Sequence, residues 1–136
     1  MKYTGGCLCG ELRYRSSAEP VEAGYCHCRM CQKLSGAAVL PWISFETGSF
    51  SYTEGSPKIY ASSEWGQREF CAECGSQIVF RATDNHATVE INVGTLDDPE
   101  SVTPQYHIWC DSQISWFDTT DDLPRYPESI ETRSGM

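Results

Sequence analysis

The chain contains no apolar run approaching the ~20 residues that span a bilayer, and its 136 residues hold no low-complexity tract and no long repeat. The opening Met1-Lys2-Tyr3-Thr4-Gly5-Gly6 lacks the apolar core of a secretion signal. Positive charge is scarce, with 10 Lys and Arg against 19 Asp and Glu and a formal net charge of −9. That balance excludes a broad basic face for nucleic acid. Helical signal is slight: one short turn from Arg29 to Leu34 that Ser35-Gly36 ends, and a turn or single helical turn at Leu96-Asp97-Asp98-Pro99. These absences predict a single cytoplasmic domain over residues 1–136, with neither a membrane nor a nucleic acid as partner.

Strand signals fill the remaining chain. Leu12-Arg13-Tyr14-Arg15 and Thr88-Val89-Glu90-Ile91-Asn92-Val93 alternate apolar and polar residues. Ala37-Ala38-Val39-Leu40 and Gln77-Ile78-Val79-Phe80 read as more deeply buried strands. Ser49 to Tyr52, Lys58 to Ala61, Trp65 to Phe70 and Tyr106 to Cys110 add further short ones, split by Gly and Pro turns. The tail from Asp118 to Met136 is polar and is expected to be extended, packed through Trp116, Phe117 and Tyr126 and then frayed. Trp42, Trp65, Trp109 and Trp116 are expected mostly in the core. The fold class is all-β, with cysteine knuckles in the connections.

Cysteine is the abundant special residue. Seven of the eight fall into three clusters: Gly6-Cys7-Leu8-Cys9-Gly10, Cys26-His27-Cys28-Arg29-Met30-Cys31 and Phe70-Cys71-Ala72-Glu73-Cys74-Gly75. Thiolates one or two residues apart can turn toward one ion, and zinc favours such sulfur sets in tetrahedral geometry. A disulfide framework is the rival reading of eight cysteines, but Cys-x-Cys pairs make poor disulfide partners. The two doublets Cys7/Cys9 and Cys71/Cys74 make four ligands, a closed structural site. The triplet Cys26/Cys28/Cys31 leaves a fourth position for water or substrate, unless Cys110 or His107 fills it. His27 is expected to turn away from the metal between its two ligand neighbours, and His86 to sit in a loop. Ligating thiolates would make the chain about three units more negative still. An anionic substrate would therefore need local positive charge, for which Arg29, Lys33 and Arg68 are candidates.

The three cysteine motifs, together with Arg68-Glu69 before the third, Gly94-Thr95-Leu96-Asp97-Asp98-Pro99, His107-Ile108-Trp109 and Asp122-Leu123-Pro124, resemble the signature of the glutathione-dependent formaldehyde-activating enzymes. That family also takes in centromere protein V. The resemblance covers nearly the whole chain. It implies a β-tent fold of antiparallel sheets and two zinc ions per chain. Cys7, Cys9, Cys71 and Cys74 would hold the structural zinc, and Cys26, Cys28 and Cys31 the catalytic one. The implied activity is that of a carbon–sulfur lyase joining a small-molecule thiol such as glutathione to an aldehyde, formaldehyde in the family's named reaction. The alternative is a non-catalytic, zinc-stabilised binding or scaffold domain.

Overall fold

The computed structural model describes residues 3–130. Ten strands and one short helix follow the chain: β1 Tyr3–Gly6, β2 Arg13–Ser16, β3 Glu22–Cys26, α1 Arg29–Ser35, β4 Leu40–Glu46, β5 Phe50–Glu54, β6 Lys58–Ala61, β7 Gly66–Phe70, β8 Gln77–Ala82, β9 Thr88–Asn92 and β10 His107–Ile108. They form a three-stranded sheet in the order β1-β2-β5 and a seven-stranded sheet in the order β10-β3-β4-β9-β8-β7-β6. All pairings are antiparallel except β10 with β3, where His107 and Ile108 run parallel to Tyr25 and Cys26. The sheets are therefore antiparallel as expected, with one short parallel pair. It arises because the chain leaves β9 mid-sheet and crosses to the far edge before pairing.

The main core lies between the two sheets. In β9 the alternation predicted from sequence is realised: Val89 and Ile91 are buried while Thr88, Glu90 and Asn92 are half-exposed. Those two residues pack with Ile43 and Phe45 of β4, Val79 of β8, and Leu12, Tyr14 and Phe50 from the smaller sheet's side. The smaller sheet is also tied down by Asp97, whose carboxylate accepts from Arg13 Nη1 at 2.9 Å and Thr4 Oγ1 at 2.7 Å.

A second cluster forms on the opposite face of the larger sheet: Cys26, Cys28, Cys31, Trp42, Tyr106 and Ile108, with Met30, Leu40, Trp109 and Ile130 against it. Strand β4 is buried on both faces, with Ile43 and Phe45 toward the main core and Trp42 in this second cluster.

Several sequence expectations are corrected. Residues 37–39 form no strand; they are the exposed to half-buried connection after α1, and the strand starts at Leu40. Cys110 does not continue a strand, since a 3₁₀ turn over Cys110–Ser112 begins there. Trp65 and Trp116 are exposed, at 52% and 77%, because each sits in a connection outside the sheets. Tyr126 does pack, edge-on to Tyr106, and the tail lies along β10. His107 N–H donates to Pro124 O, and Tyr126 N–H to His107 O, both at 2.9 Å. The frayed end expected beyond residue 130 lies outside the described residues. No helix among the described residues is long and apolar enough to cross a membrane.

Candidate metal centres

The first two-cysteine knuckle follows β1. Gly10 N–H donates to Cys7 O at 3.2 Å, closing the turn, and Leu12 N–H points at Cys7 Sγ at 3.2 Å. The second knuckle joins β7 to β8. Gly75 N–H donates to Cys71 O at 2.8 Å and Cys71 N–H to Ser76 O at 2.9 Å. Leu8 N–H donates to Ser76 Oγ at 3.0 Å, so the two knuckles grip one another directly. The four sulfurs lie within 4.8 Å of each other. Cys7 Sγ is 3.6 Å from Cys9 Sγ, which is 3.7 Å from Cys71 Sγ. A tetrahedron with Zn–S bonds of ~2.3 Å has sulfurs about 3.8 Å apart, so the spacing fits zinc. Cys74 is pulled down to about 5, chiefly by the Ser76 hydroxyl and N–H and then by Cys9 N–H. A thiol so placed is ready to ligate as thiolate.

Gly10 and Gly75 hold φ of +84° and +80°, the left-handed conformation that lets each knuckle double back. A Cβ at Gly75 would meet nothing within 4 Å, so a substitution there is penalised by backbone strain alone. Gly75→Ala is expected to cost about 1 kcal/mol in a denaturant titration, with metal content unchanged. A loss of metal instead would show that the knuckle cannot form around alanine.

The triplet is built at the junction of β3 and α1. Cys26 ends β3, and Cys28 is the N-cap of α1, its Sγ accepting from Cys31 N–H at 3.2 Å. That cap places Cys31 one turn into the helix, facing back toward Cys28. The three sulfurs lie within 4.8 Å of each other, and all three residues are buried. Gln32 locks the junction, donating to His27 O at 2.8 Å and Ser112 O at 3.1 Å. Acidity is uneven across the cluster. Cys28 is pulled down to about 3 by Cys26 first and then Cys31, with Arg68's charge a lesser aid. Cys26 is pushed well above the ordinary thiol range by Cys28, Cys31 and burial. Three thiols packed this closely favour a bound cation, which replaces their protons.

Neither alternative fourth ligand joins the triplet, and among the described residues only three sulfurs converge there. His107 Nδ1 is 2.8 Å from His27 Nε2, and His107 Nε2 is 3.1 Å from Asp121 Oδ1, so both its ring nitrogens are engaged. His27 is turned away from the sulfurs into this buried chain, stacked on His107 at 5.1 Å between centroids. Burial, followed by the charges of His107 and Arg125, pulls His27 down to about 4, so the ring is neutral near neutrality. Sequence reasoning missed the His27–His107–Asp121 chain. Its only signal is an acidic pair in a polar tail. Cys110 lies in its 3₁₀ turn, its N–H donating to Tyr126 O at 3.0 Å. All eight cysteines are free thiols, which removes the disulfide framework. His86 is exposed in the β8–β9 connection.

Of the three candidate cations, Arg29 is exposed and donates to Gln32 Oε1 at 2.6 Å, and Lys33 is exposed. Arg68 is buried. Trp109, in the second cluster, holds a left-handed backbone at φ 59°, rare for a residue with a side chain and common at functional sites. A cleft of about 500 Å³ is lined by Leu34 and Ser35 of α1, Leu40, Ser76, Gln77 and Asn92 among others. Leu40 is the β4 partner of Cys26, but no triplet cysteine lines the cleft.

Comparison with known proteins agrees with this construction. A Rhodobacter sphaeroides protein of known crystal structure shares the fold, with a TM-score of 0.58 and 19% identity over 74% of this chain and 91% of its own. An uncharacterized lyase of Schizosaccharomyces pombe is 26% identical over 117 residues, covering 86% of this chain and 85% of the yeast protein. The profile of the glutathione-dependent formaldehyde-activating enzymes matches residues 2–112, which contain both sulfur clusters and the β10 histidine, and the chain belongs to that family.

Proposed function

We propose that this chain is a zinc-dependent carbon–sulfur lyase that makes and breaks adducts between a thiol and an aldehyde, with glutathione and formaldehyde as the pair the family name gives. In this reading residues 1–136 form one domain carrying two zinc ions. Cys7, Cys9, Cys71 and Cys74 hold the structural ion; Cys26, Cys28 and Cys31 hold the other. The observation that carries the reading is the asymmetry of the sulfur sets, four in one and three in the other. A four-sulfur site is closed, while a three-ligand site keeps a position for the reaction. A cytoplasmic setting suits it, because thiols stay reduced there.

When bound at the triplet, zinc supplies a fourth position where an incoming thiol is held deprotonated. The chain's own residues do the rest. The Cys28 cap and the Gln32 bonds hold the three sulfurs on a fixed backbone. Trp42, Tyr106, Ile108 and Trp109 enclose the cluster in apolar surface that limits competition from water. The His27–His107–Asp121 chain keeps the His27 ring off the sulfurs, preserving the three-ligand set. In the reaction the sulfur–carbon bond forms as the carbonyl π pair moves to oxygen. The proton lost by the thiol ends on that oxygen. Breakdown of the adduct reverses each movement.

One observation favours the second reading, a non-catalytic binding domain: Cys26, Cys28 and Cys31 are only 0%, 8% and 1% exposed. The test compares exchange between free thiol and hydroxymethyl adduct, followed by NMR with metal-replete protein and with buffer alone. Acceleration of at least tenfold supports the lyase. Exchange at the buffer rate across several aldehydes would establish the binding domain instead.

A further inference from the structure

The end of the large sheet where β3 stops carries more than the triplet. Sheet order and register place its strand ends side by side there: Cys26 ends β3, Leu40 begins β4, Asn92 ends β9 and Gln77 begins β8. The cleft of about 500 Å³ runs over the last three of these, and Leu34 and Ser35 at the end of α1 also line it. That volume falls in the range of small-molecule sites, ~300–1,000 Å³.

Two lining residues join the cleft to the triplet. Leu40 pairs with Cys26 and packs against the cluster that holds all three sulfurs. Paired residues share a face, with Cβ atoms about 4.5–5.5 Å apart. Ser35 lies one helical turn after Cys31 and donates its hydroxyl to Cys31 O at 2.7 Å. Leu40 is thus common to the cleft and the sulfur cluster, and the cleft comes within a side chain's length of Cys26.

No charged side chain lines the cleft. Leu34, Val39, Leu40 and Pro41 line it half-buried, with apolar surface left to cover, beside the buried Val93. The amide side chains hold the lining elements together: Gln77 Nε2 donates to Leu34 O at 2.6 Å, and Asn92 Nδ2 to Gln77 O at 3.0 Å. A carboxylate finds no counter-charge here, and a one-carbon aldehyde leaves such a space unfilled. An uncharged chain of several carbons suits both the lining and the volume. The thiol of the family's named pair carries carboxylates, so the chain is assigned to the aldehyde. We infer that the cleft is a subsite for the apolar substituent of the carbonyl partner: the aldehyde carries an alkyl chain, held against Leu34, Val39, Leu40 and Val93, while its carbonyl carbon reacts at the Cys26/Cys28/Cys31 site. This rests on the lyase reading above and moves its aldehyde from formaldehyde to alkyl aldehydes. The bond changes are the same: sulfur bonds to the carbonyl carbon, the π pair moves to oxygen, and the thiol's proton ends there.

Metal-replete protein is first titrated with 1-pentanol, an uncharged and unreactive stand-in, and followed by methyl NMR. Saturable shifts of Leu34, Val39, Leu40 and Val93 are expected; shifts confined to other methyls, or none, overturn the inference. Adduct exchange with glutathione is then measured for formaldehyde and for pentanal, each as acceleration over buffer. Each methylene taken from water is worth about 4-fold, so pentanal's acceleration should exceed formaldehyde's by ~10-fold or more. Ala37→Phe, at an exposed lining position, puts a ring into the cleft and should erase both that excess and the pentanol shifts. Equal acceleration of the two aldehydes by wild type, or an excess that survives Ala37→Phe, overturns the inference. Metal content and thermal midpoint check that the variant is folded. Should it fail to fold, Val39→Ala decides: an excess reduced about threefold supports the inference, and an unchanged excess overturns it. A gain for pentanethiol with formaldehyde, in place of the gain for pentanal, overturns the assignment to the aldehyde. Pentanol shifts without acceleration of any aldehyde remove the lyase reading and leave the cleft a binding site for an uncharged chain.

Discussion

Cys71→Ser is expected to abolish cooperative unfolding at 25 °C, leaving a chain without a thermal transition in the range where wild type melts. Cys71 is 1% exposed and sits where β7 gives way to the knuckle before β8. Its partner cysteines Cys7 and Cys9 lie near the N-terminus, just after β1. The four-sulfur cluster thus ties the N-terminal hairpin of the small sheet to the β7–β8 connection near one edge of the large one. Structural zinc binding in small domains has an apparent free energy of ~10–16 kcal/mol near neutral pH. A domain's net stability is only ~5–15 kcal/mol. Losing even a third of the first term removes much of the second. Stripping the wild type with a strong chelator should reproduce the variant's behaviour. Cys110→Ser, outside both clusters, should change stability by no more than ~1 kcal/mol. A Cys71→Ser protein that melts like wild type would show that these four sulfurs do not share a structural ion.

Cys28→Ser is expected to remove acceleration of adduct exchange down to the buffer rate, a loss of 100-fold or more if the enzyme is of ordinary efficiency, while the protein stays folded. The substitution separates two jobs that Cys28 performs. Its sulfur caps α1 by accepting Cys31 N–H, and serine is among the best N-cap residues, so the helix keeps its start. What serine does not provide is the third thiolate. Near-UV circular dichroism should therefore remain native, and the thermal midpoint should fall far less than for Cys71→Ser. The ratio of zinc to protein should drop by one. Full exchange activity with the second ion retained would mean that the triplet is not the reaction site.

The cysteine pairing was legible because short spacings leave few geometries. Cys-x-Cys and Cys-x-x-Cys knuckles turn sulfurs the same way whatever surrounds them, and the structure brings together the same sets that ligand counting suggested. β9 was legible because one face meets the core and the other does not. β4 was not, because both faces are buried and the alternation disappears: Trp42, Ile43, Ser44 and Phe45 are all buried. β1 and β3 went unread for another reason. Both use glycine where a neighbour comes too close for a side chain. Tyr14 lies against Gly5, and a Cβ at Gly24 would meet Trp42 Cζ2 at 3.0 Å. Close approach of this kind lowers strand propensity while serving the fold.

The histidines show the limit of local reading. The sequence left His107 equally able to face a metal or to sit satisfied in the core. Only the parallel pairing of β10 with β3 sets it against Tyr25 and His27, with Asp121 of the tail on its other nitrogen. That contact spans 80 residues between the histidines, so no local pattern encodes it. Arg68 was one of three candidate cations in the sequence, with Arg29 and Lys33. Its burial, and the spending of Arg29 on Gln32, distinguish it.

Native mass spectrometry of the intact protein, with and without glutathione, tests the central claim most directly. Two zinc ions per chain are expected, one of them lost first to a mild chelator, with a glutathione adduct that disappears in Cys28→Ser. Two ions that both resist the chelator with no glutathione adduct, or a single ion that added zinc does not raise to two, would contradict it.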